Sequence, residues 1–341
     1  MEYAPVLIPT LCRSEHFIRC IESLKRNTWA QYTDIYIALD YPIKESHRRG
    51  YNKICKYLEG DFEEFASFNV IKRPFNYGVV KNMEQLRIEI LDKYNCYIRS
   101  DDDCEFSPNF LEYMDRCLEK YKDDETVIGV TGYSYPINWD IPAECNAFKS
   151  SLIFPMWGAG FWKDKFLSVQ KELAGGYIKE YSQKNFVNRK KMTDARYLEC
   201  MDSAFNYDSD NFTMRTTDVA YGCYMQIANK FVITPKLSKV RNYGFDGSGV
   251  YCQNTLGKRR KKEATYYDYT KQKIDTAYKF LPSVEENYDF ESNKKILNQF
   301  DFRSRKKIIM GRVKYIGKKI IVRIFGEKRY IQIRNMKSGQ G

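Results

Sequence analysis

Residues 96–114 read CYIRSDDDCEFSPNFLEYM, and they contain the plan of the chain in miniature. An apolar strand, Cys96–Arg99, runs into three consecutive aspartates, Asp101, Asp102 and Asp103. Ser107-Pro108 then supplies an N-cap and a first helical position for a helix carrying Leu111, Met114 and Leu118. Strand, polar end, helix is the repeating unit of an α/β fold, and in an open sheet of such units ligands bind outside the carboxyl ends of the strands. Three adjacent carboxylates repel one another unless a cation neutralises them, and hard oxygen donors suit Mg²⁺ or Mn²⁺. An acidic run is also an ordinary start to a solvated helix. Its place at a strand end is what raises the metal reading.

The same unit recurs on the N-terminal side. Val6–Ile8 precedes a helix from about Ser14 with Phe17, Ile18, Ile21 and Leu24 at helical spacing. Asp34–Leu39 alternates as a strand before a helix marked by Tyr51, Ile54, Cys55 and Leu58. Phe68–Lys72 precedes a helix with Met83, Leu86, Ile90 and Leu91, and Val127–Val130 is a fifth strand. Alternation of this kind over residues 1–132 predicts an α/β fold with a doubly wound, mostly parallel sheet. The pattern from 133 to 255 is less regular and suits an acceptor-binding half, with a helix over Asp218–Asn229 and a strand over Phe231–Thr234. Residues 256–302 read as a helical extension, with a basic loop at Lys258–Lys262 and a helix over Glu263–Phe280, and residues 303–341 as a basic amphipathic tail.

The positions just after the strands are unusually polar. They are Pro9, Thr10 and Arg13, then Asp40, then the Arg73-Pro74-Phe75-Asn76-Tyr77-Gly78 loop, then the aspartate triplet. Converging on one edge of one sheet, they describe an anionic ligand held through a divalent cation. Arg73 suits either a phosphate contact or a strand cap. MWGAGFW, with Trp157 and Gly158, offers aromatic walls and close backbone approach to a sugar, or else a tryptophan pair packing the end of the sheet.

VLIPTLCRSEHFIRCIESL, YIALD, RPFNYG and SDDDCEFSPNFLEYM together resemble GT-A glycosyltransferases, above all the N-acetylglucosaminyltransferase I type and bacterial family 2-like enzymes of surface polysaccharide synthesis. The resemblance covers about residues 3–250. It implies a Rossmann-like GT-A domain that moves a sugar from a UDP-sugar donor to a glycan or lipid-linked acceptor with Mn²⁺ or Mg²⁺. Asp103 is then the direct metal ligand, Asp101 and Asp102 lie near ribose and sugar, and Arg13 and Asp40 bind the nucleotide, Asp40 at the uracil. Glu usually opens the family's triplet where this chain has Asp101. TTDVAYGCYMQIANKFVITPKLSKVRNYGFDGSGVYC is similar to a second arrangement in bacterial glycosyltransferases. There Asp218 is the candidate general base of an inverting reaction or a plain helix N-cap, and Asp246 the reserve candidate or part of a glycine-rich loop over the diphosphate.

Composition narrows the alternatives. Twenty-eight tyrosines suit sugar handling but also an aromatic core. Of the net charge of +12, all resides from Arg303 onward, where 13 Lys/Arg meet one acid, Glu327, so the body sums to zero and a nucleic-acid partner is not expected. In the tail, Ile309, Val313, Ile316, Ile320 and Ile324 recur at helical spacing among basic residues, the pattern of a helix lying on an anionic membrane surface, or of one docked on the domain. Ten scattered cysteines without a CxxC pair, no signal-peptide pattern and no apolar run near the roughly 20 residues of a membrane span predict a cytoplasmic chain, peripheral at the inner face of the plasma membrane. Two histidines, His16 and His47, both read as helical surface residues, disfavour a Ser-His-Asp or zinc centre. A sugar nucleotidyltransferase needs a glycine-rich loop after the first strand, and PTLCRSE has no glycine. A catalytically silent glycan-binding assembly protein is the remaining alternative.

Overall fold

The computed structural model describes residues 2–151, 154–184, 217–249, 270–288 and 305–326, together with 329 and 332. It divides into two compact units, Met1–Ser168 with Phe231–Asp289, and Val169–Lys230 with Phe290–Gly341.

The first unit is built on a sheet. Its strands β1 (Val6–Thr10), β2 (Asp34–Leu39), β3 (Ser67–Lys72) and β4 (Cys96–Arg99) alternate with helices α1 (Ser14–Lys25), α2 (Glu45–Tyr57) and α3 (Val79–Leu91). β5 (Cys104–Phe106), α4 (Phe110–Tyr121), β6 (Val127–Thr131), β7 (Ala147–Ser150), β8 (Ala159–Trp162) and the start of α5 (Lys163–Ala174) follow. β9 (Phe231–Pro235), β10 (Val240–Asn242) and β11 (Val284–Glu285) complete it. Nine strands form one sheet in the order β11-β7-β9-β6-β8-β4-β1-β2-β3, and β5 and β10 form a separate two-stranded ribbon. β3, β2, β1 and β4 run parallel, as do β6 and β9, while β8 lies antiparallel between β4 and β6. The result is the expected α/β architecture, built on one mostly parallel sheet.

The local reasons are plain in the sequence. β1 is fully buried between β2 and β4, which is why VLIPT reads as an uninterrupted apolar run rather than an alternation. Phe17, Cys20, Ile21 and Leu24 give α1 one buried face, and Met83, Leu86, Ile90 and Leu91 do so for α3. Each large apolar side chain buried this way contributes about 1.5–3 kcal/mol. α4 buries Phe110, Leu111, Tyr113, Met114, Cys117 and Leu118. Its N-cap is Asn109 rather than Ser107, because Ser107 turns its hydroxyl onto Asn109 Oδ1 at 2.9 Å and its N–H onto Lys239 O at 2.9 Å.

One strand is added to the expected set and one expected helix is corrected. The last residues of MWGAGFW form β8, a central antiparallel strand. Gly160 in it leaves room for Leu118, whose Cδ1 would stand 3.3 Å from any added Cβ. Residues 270–280 are not helical; the other part of the expected Glu263–Phe280 helix, and the Lys258–Lys262 loop, lie outside the described residues. The backbone of 270–280 is spent on the domain instead: Asp275 N donates to Ser238 O at 2.8 Å and Phe280 N to Glu112 Oε2 at 2.9 Å. Gln272 Oε1 accepts from Asn242 N at 2.7 Å, and Asp275 pairs with the buried Lys239. A helix would have turned those N–H groups inward.

In the second unit, α6 (Tyr177–Lys184) and α7 (Thr217–Ala228) meet through Tyr177 and Tyr224, whose rings lie 5.5 Å apart. Tyr224 Oη donates to Glu172 Oε2 at 2.8 Å and Gln170 Nε2 to Tyr221 Oη at 2.8 Å. α7 ends at Asn229 with φ +52, a left-handed position that asparagine tolerates. α8 (Arg305–Phe325) is the tail helix, closed by Gly326 at φ +78. No helix among the described residues is long and apolar enough to cross a membrane.

Candidate functional site

Because β1 to β4 are parallel neighbours, their carboxyl ends share one edge of the sheet, and the polar residues after them are brought together there. Thr10 Oγ1 donates to Asp102 Oδ2 at 2.8 Å. The Arg13 guanidinium bridges two carboxylates, meeting Asp102 Oδ1 through Nη2 and Asp103 Oδ2 through Nη1, the latter at 2.7 Å. Asp101 is more open and pairs with Arg99 Nη2 at 3.0 Å. Gly50 lets α2 lie directly on the β1–α1 loop: a Cβ there would stand 1.8 Å from Cys12 O.

Asp103 is buried, like Asp102, and its cover comes from far along the chain. The β5–β10 ribbon pairs Asn242 with Cys104 and Arg241 with Glu105. That register sets Asn242 Nδ2 2.9 Å from Asp103 Oδ1, and Tyr243 N 2.8 Å from Asp103 O. Gly244 closes the remaining side, since a Cβ at that position would fall 2.1 Å from Asp103 Oδ2. Burial pushes the Asp103 carboxyl up to about 7 against the pull of Arg13, and the negative charges of Asp101 and Asp102 add to the rise. Burial also works against the Arg13 charge, but Asp102 and Asp103 outweigh it and strengthen its hold on the proton.

Asp246 lies on the turn after Gly244. Burial opposes its charge, but the Ser248 hydrogen bonds, then His16 and Arg13, hold its carboxyl below the usual range. His16 Nε2 is 3.2 Å from Asp246 Oδ2 and 3.4 Å from Tyr243 O. His16 is therefore not a plain surface residue but ties α1 to the covering loop.

The other candidate positions take distinct roles. Asp40 is buried, and its oxygens accept the N–H groups of Tyr41 at 2.9 Å, Tyr77 at 2.8 Å and Gly78 at 2.9 Å. It organises the loop after β3. Gly78 stands at φ +76, so the loop needs glycine there for its backbone. Asn76 Nδ2 donates to Tyr41 O at 2.7 Å, and Tyr41 and Phe75 are left exposed beside it. Pro9 is inside β1, paired with Ala38, and contributes shape rather than a contact. Arg73 is a correction to the phosphate expectation. It is buried, with Nε on Asn82 Oδ1 at 2.8 Å and Nη1 on Glu89 Oε1 at 2.8 Å, so it braces α3. The two tryptophans of MWGAGFW also separate. Trp162 is buried with Nε1 on Leu118 O at 3.1 Å, whereas Trp157 stacks edge-on against Tyr133 at 4.7 Å and Phe245 at 5.6 Å, next to the covering loop. Gly158 adopts φ +58, and a Cβ there would meet Phe110 and Val240 at 2.9 Å. Asp218, in the first turn of α7, belongs to the second unit and is exposed.

The cluster limits the chemistry available. The thiols nearest the triplet, Cys12, Cys20 and Cys104, are all pushed up chiefly by burial and then by the aspartates, so none serves as a thiolate nucleophile. Three carboxylates, Asp101, Asp102 and Asp103, meet two guanidinium groups, Arg13 and Arg99, in this cluster. Among the described residues no three His, Cys, Asp or Glu side chains surround a single point. A cation at Asp103 would therefore draw its other oxygens from a ligand's phosphates and from water, as Mg²⁺ and Mn²⁺ commonly do.

No protein-family model matches the chain, and no curated protein does. Among solved structures the chain is similar to S. aureus TarS, at 11% identity and a TM-score of 0.29 over 41% of this chain and 23% of that one. It is similar to TarS 1–349 at 12% identity and a TM-score of 0.32, over 49% and 48% of the two chains. The mannosyltransferase PcManGT from Pyrobaculum calidifontis, in complex with GDP-Man and Mn²⁺, is similar at 9% identity and a TM-score of 0.36 over 67% and 70%. The chain thus spans about a quarter of the TarS chain and about half of its shorter form. At such distances the function is read from the strand-end residues themselves.

Asn242, Gly244 and His16 are the site residues that sequence reasoning missed. The signal for the first two was present in NYGFDGSG, as a polar residue two before a glycine. What placed them was a ladder between three-residue strands more than 130 positions apart.

Proposed function

We propose that the chain is a glycosyltransferase that uses a nucleoside diphosphate sugar, a UDP-sugar by preference, and passes the sugar to a glycan or lipid-linked acceptor with inversion. The observation that carries this reading is the buried Asp103, roofed by Asn242 and Gly244, beside Asp102 and Arg13 at the carboxyl edge of the parallel strands. Arg13 and Thr10 border the diphosphate, and the loop that Asp40 holds, with exposed Tyr41 and Phe75, receives the nucleoside. Asp101, more open than its neighbours, faces the ribose and sugar, and Trp157 with Gly158 lines the donor side. Asp103 would hold Mn²⁺ or Mg²⁺, which would supply Lewis-acid stabilisation to the departing nucleotide. Asp218 deprotonates the acceptor hydroxyl as general base, and Asp246, held charged by the Ser248 hydrogen bonds and then by His16, belongs to the loop over the diphosphate.

The setting we assign is bacterial surface polysaccharide synthesis, capsule or lipopolysaccharide, at the inner face of the plasma membrane. Support comes from α8, whose Ile309, Val313, Ile316, Ile320 and Ile324 are all exposed within a strongly basic segment. The experiment for the activity is a panel of nucleotide sugars scored for slow nucleotide release in Mn²⁺. One donor or a narrow set should be hydrolysed. Nucleotide binding without turnover across the whole panel would instead favour the silent assembly protein.

A further inference from the structure

β3 ends the sheet: it pairs with β2 on one side and, among the described residues, with no strand on the other. Arg73 N donates to Leu39 O at 2.9 Å, and the bonding residues of a parallel strand alternate along it, so Ser67, Asn69 and Ile71 turn their backbone groups to β2. The N–H and C=O groups of Phe68, Val70 and Lys72 therefore point outward, and none of them meets a partner among the described residues. Sheets commonly guard such an edge with a proline, a bulge or a charge in the strand. SFNVIK has no proline, its register with β2 runs unbroken from Ser67 to Lys72, and its first five residues are uncharged. An edge left bare in this way is a template for another strand.

The strand it fits is its own copy. Laid antiparallel on itself with Val70 opposite Val70, β3 sets Phe68 opposite Lys72, and all the outward N–H and C=O groups of these three residues are exchanged in hydrogen-bonded pairs. Pro74, which has no N–H, stops the ladder just beyond. Charge selects the same direction. Asp61 and Glu63 are exposed ahead of the strand, beside a Glu64 that Lys25 holds at 3.3 Å, whereas exposed Lys72 closes the strand and exposed Lys81 follows it. Antiparallel pairing brings the acidic end of one copy to the basic end of the other, while parallel pairing would set acid against acid. The aliphatic stem of Lys72 also gains the Phe68 ring of the second copy, which Phe62 backs at 3.8 Å. We propose that β3 is a self-association edge: two copies of the chain pair β3 to β3, antiparallel about a two-fold axis at Val70, and one sheet runs through both. Such an interface uses the same patch twice and so closes at two copies. One strand pair is a small contact, so the dimer comes apart on dilution. The proposal stands apart from whatever the strand ends bind.

The test is sedimentation velocity on the full chain from about 1 to 100 μM, the range in which interfaces of this size dissociate. The wild type should pass from monomer to dimer as concentration rises. Val70→Lys sets two ammonium groups against each other on the axis and should raise the dissociation constant at least about tenfold. Val70→Thr keeps a strand-forming side chain and should leave the dissociation constant close to that of the wild type. Glu63→Lys and Lys72→Glu should each weaken the dimer, and the two together, which exchange the charges of the ends, should restore it. Far-ultraviolet dichroism that matches the wild type shows that each variant keeps the fold. A wild type that is still monomeric at about 100 μM overturns the proposal, as does a dimer that Val70→Lys leaves intact. A double exchange no tighter than either single variant overturns the antiparallel pairing.

Discussion

Replacing Asp115 by Asn should reverse its effect on stability between pH 5 and pH 8. Asp115 lies on α4 with 1% of its surface exposed. Its Oδ1 accepts the Ala4 N–H at 2.9 Å, which pins the chain entering β1, but its Oδ2 has no hydrogen-bond partner among the described residues. Burial raises the carboxyl from the ordinary 3.8 to about 7, and the Ala4 bond only partly offsets it. A carboxyl raised in the folded state binds a proton that the unfolded chain releases. Its stabilising contribution is therefore whole below about pH 4 and is lost as pH rises through about 7. About three units correspond to about 4 kcal/mol. Asn keeps the acceptor for Ala4 but puts an amide N–H where Oδ2 found no partner, at a cost of about 1–3 kcal/mol. At pH 8 the variant should thus be more stable than the wild type by about 1–3 kcal/mol, and at pH 5 equal or less stable. Urea unfolding at pH 5, 6, 7 and 8, followed by tryptophan fluorescence, measures the difference. Asp103 shifts in the same direction and affects both proteins, so the wild-type-minus-variant curve isolates Asp115. A difference that stays constant across that range refutes the reasoning.

Two further predictions concern the second unit. Asp218→Asn should lower turnover at least about a hundredfold with donor affinity nearly unchanged, and NMR of the product should show an inverted anomeric centre; a retained configuration excludes the mechanism. Deleting residues from Arg303 onward should leave donor hydrolysis intact and abolish sedimentation with anionic vesicles. The full chain should lose that sedimentation at high salt, and failure to sediment at low salt rules out the membrane role.

β1 was legible because a parallel strand buried on both faces is written as a plain apolar run, β2 by its alternation, and α1 and α3 because each keeps one apolar face. The strand-end residues were legible for a topological reason: parallel neighbours put their carboxyl ends on one edge whatever the details of packing. β8 was not, since AGFW is buried on both faces and gives neither alternation nor a β-branched run. The ribbon that brings Asn242 to Asp103 was beyond local reading altogether, because three-residue strands carry no period. The stretch 270–280 keeps polar Gln272 and Asp275 inside, on partners from β10 and the residues preceding it, a tertiary use that composition does not announce. Arg73 was recognised as polar at a strand end, but only the presence of Asn82 and Glu89 on the same side assigns it to α3.

The central claim is that Asp103 anchors a metal–nucleotide complex from which sugar is transferred, and the most direct measurement is donor hydrolysis by Asp103→Asn in Mn²⁺, with nucleotide affinity measured on the same protein. The variant removes the charge and keeps an oxygen for Asn242. Its far-ultraviolet dichroism should match the wild type, its nucleotide affinity in Mn²⁺ should drop, and its hydrolysis should vanish. Near-normal hydrolysis by the variant, or a wild type that stays active in EDTA, would contradict the account.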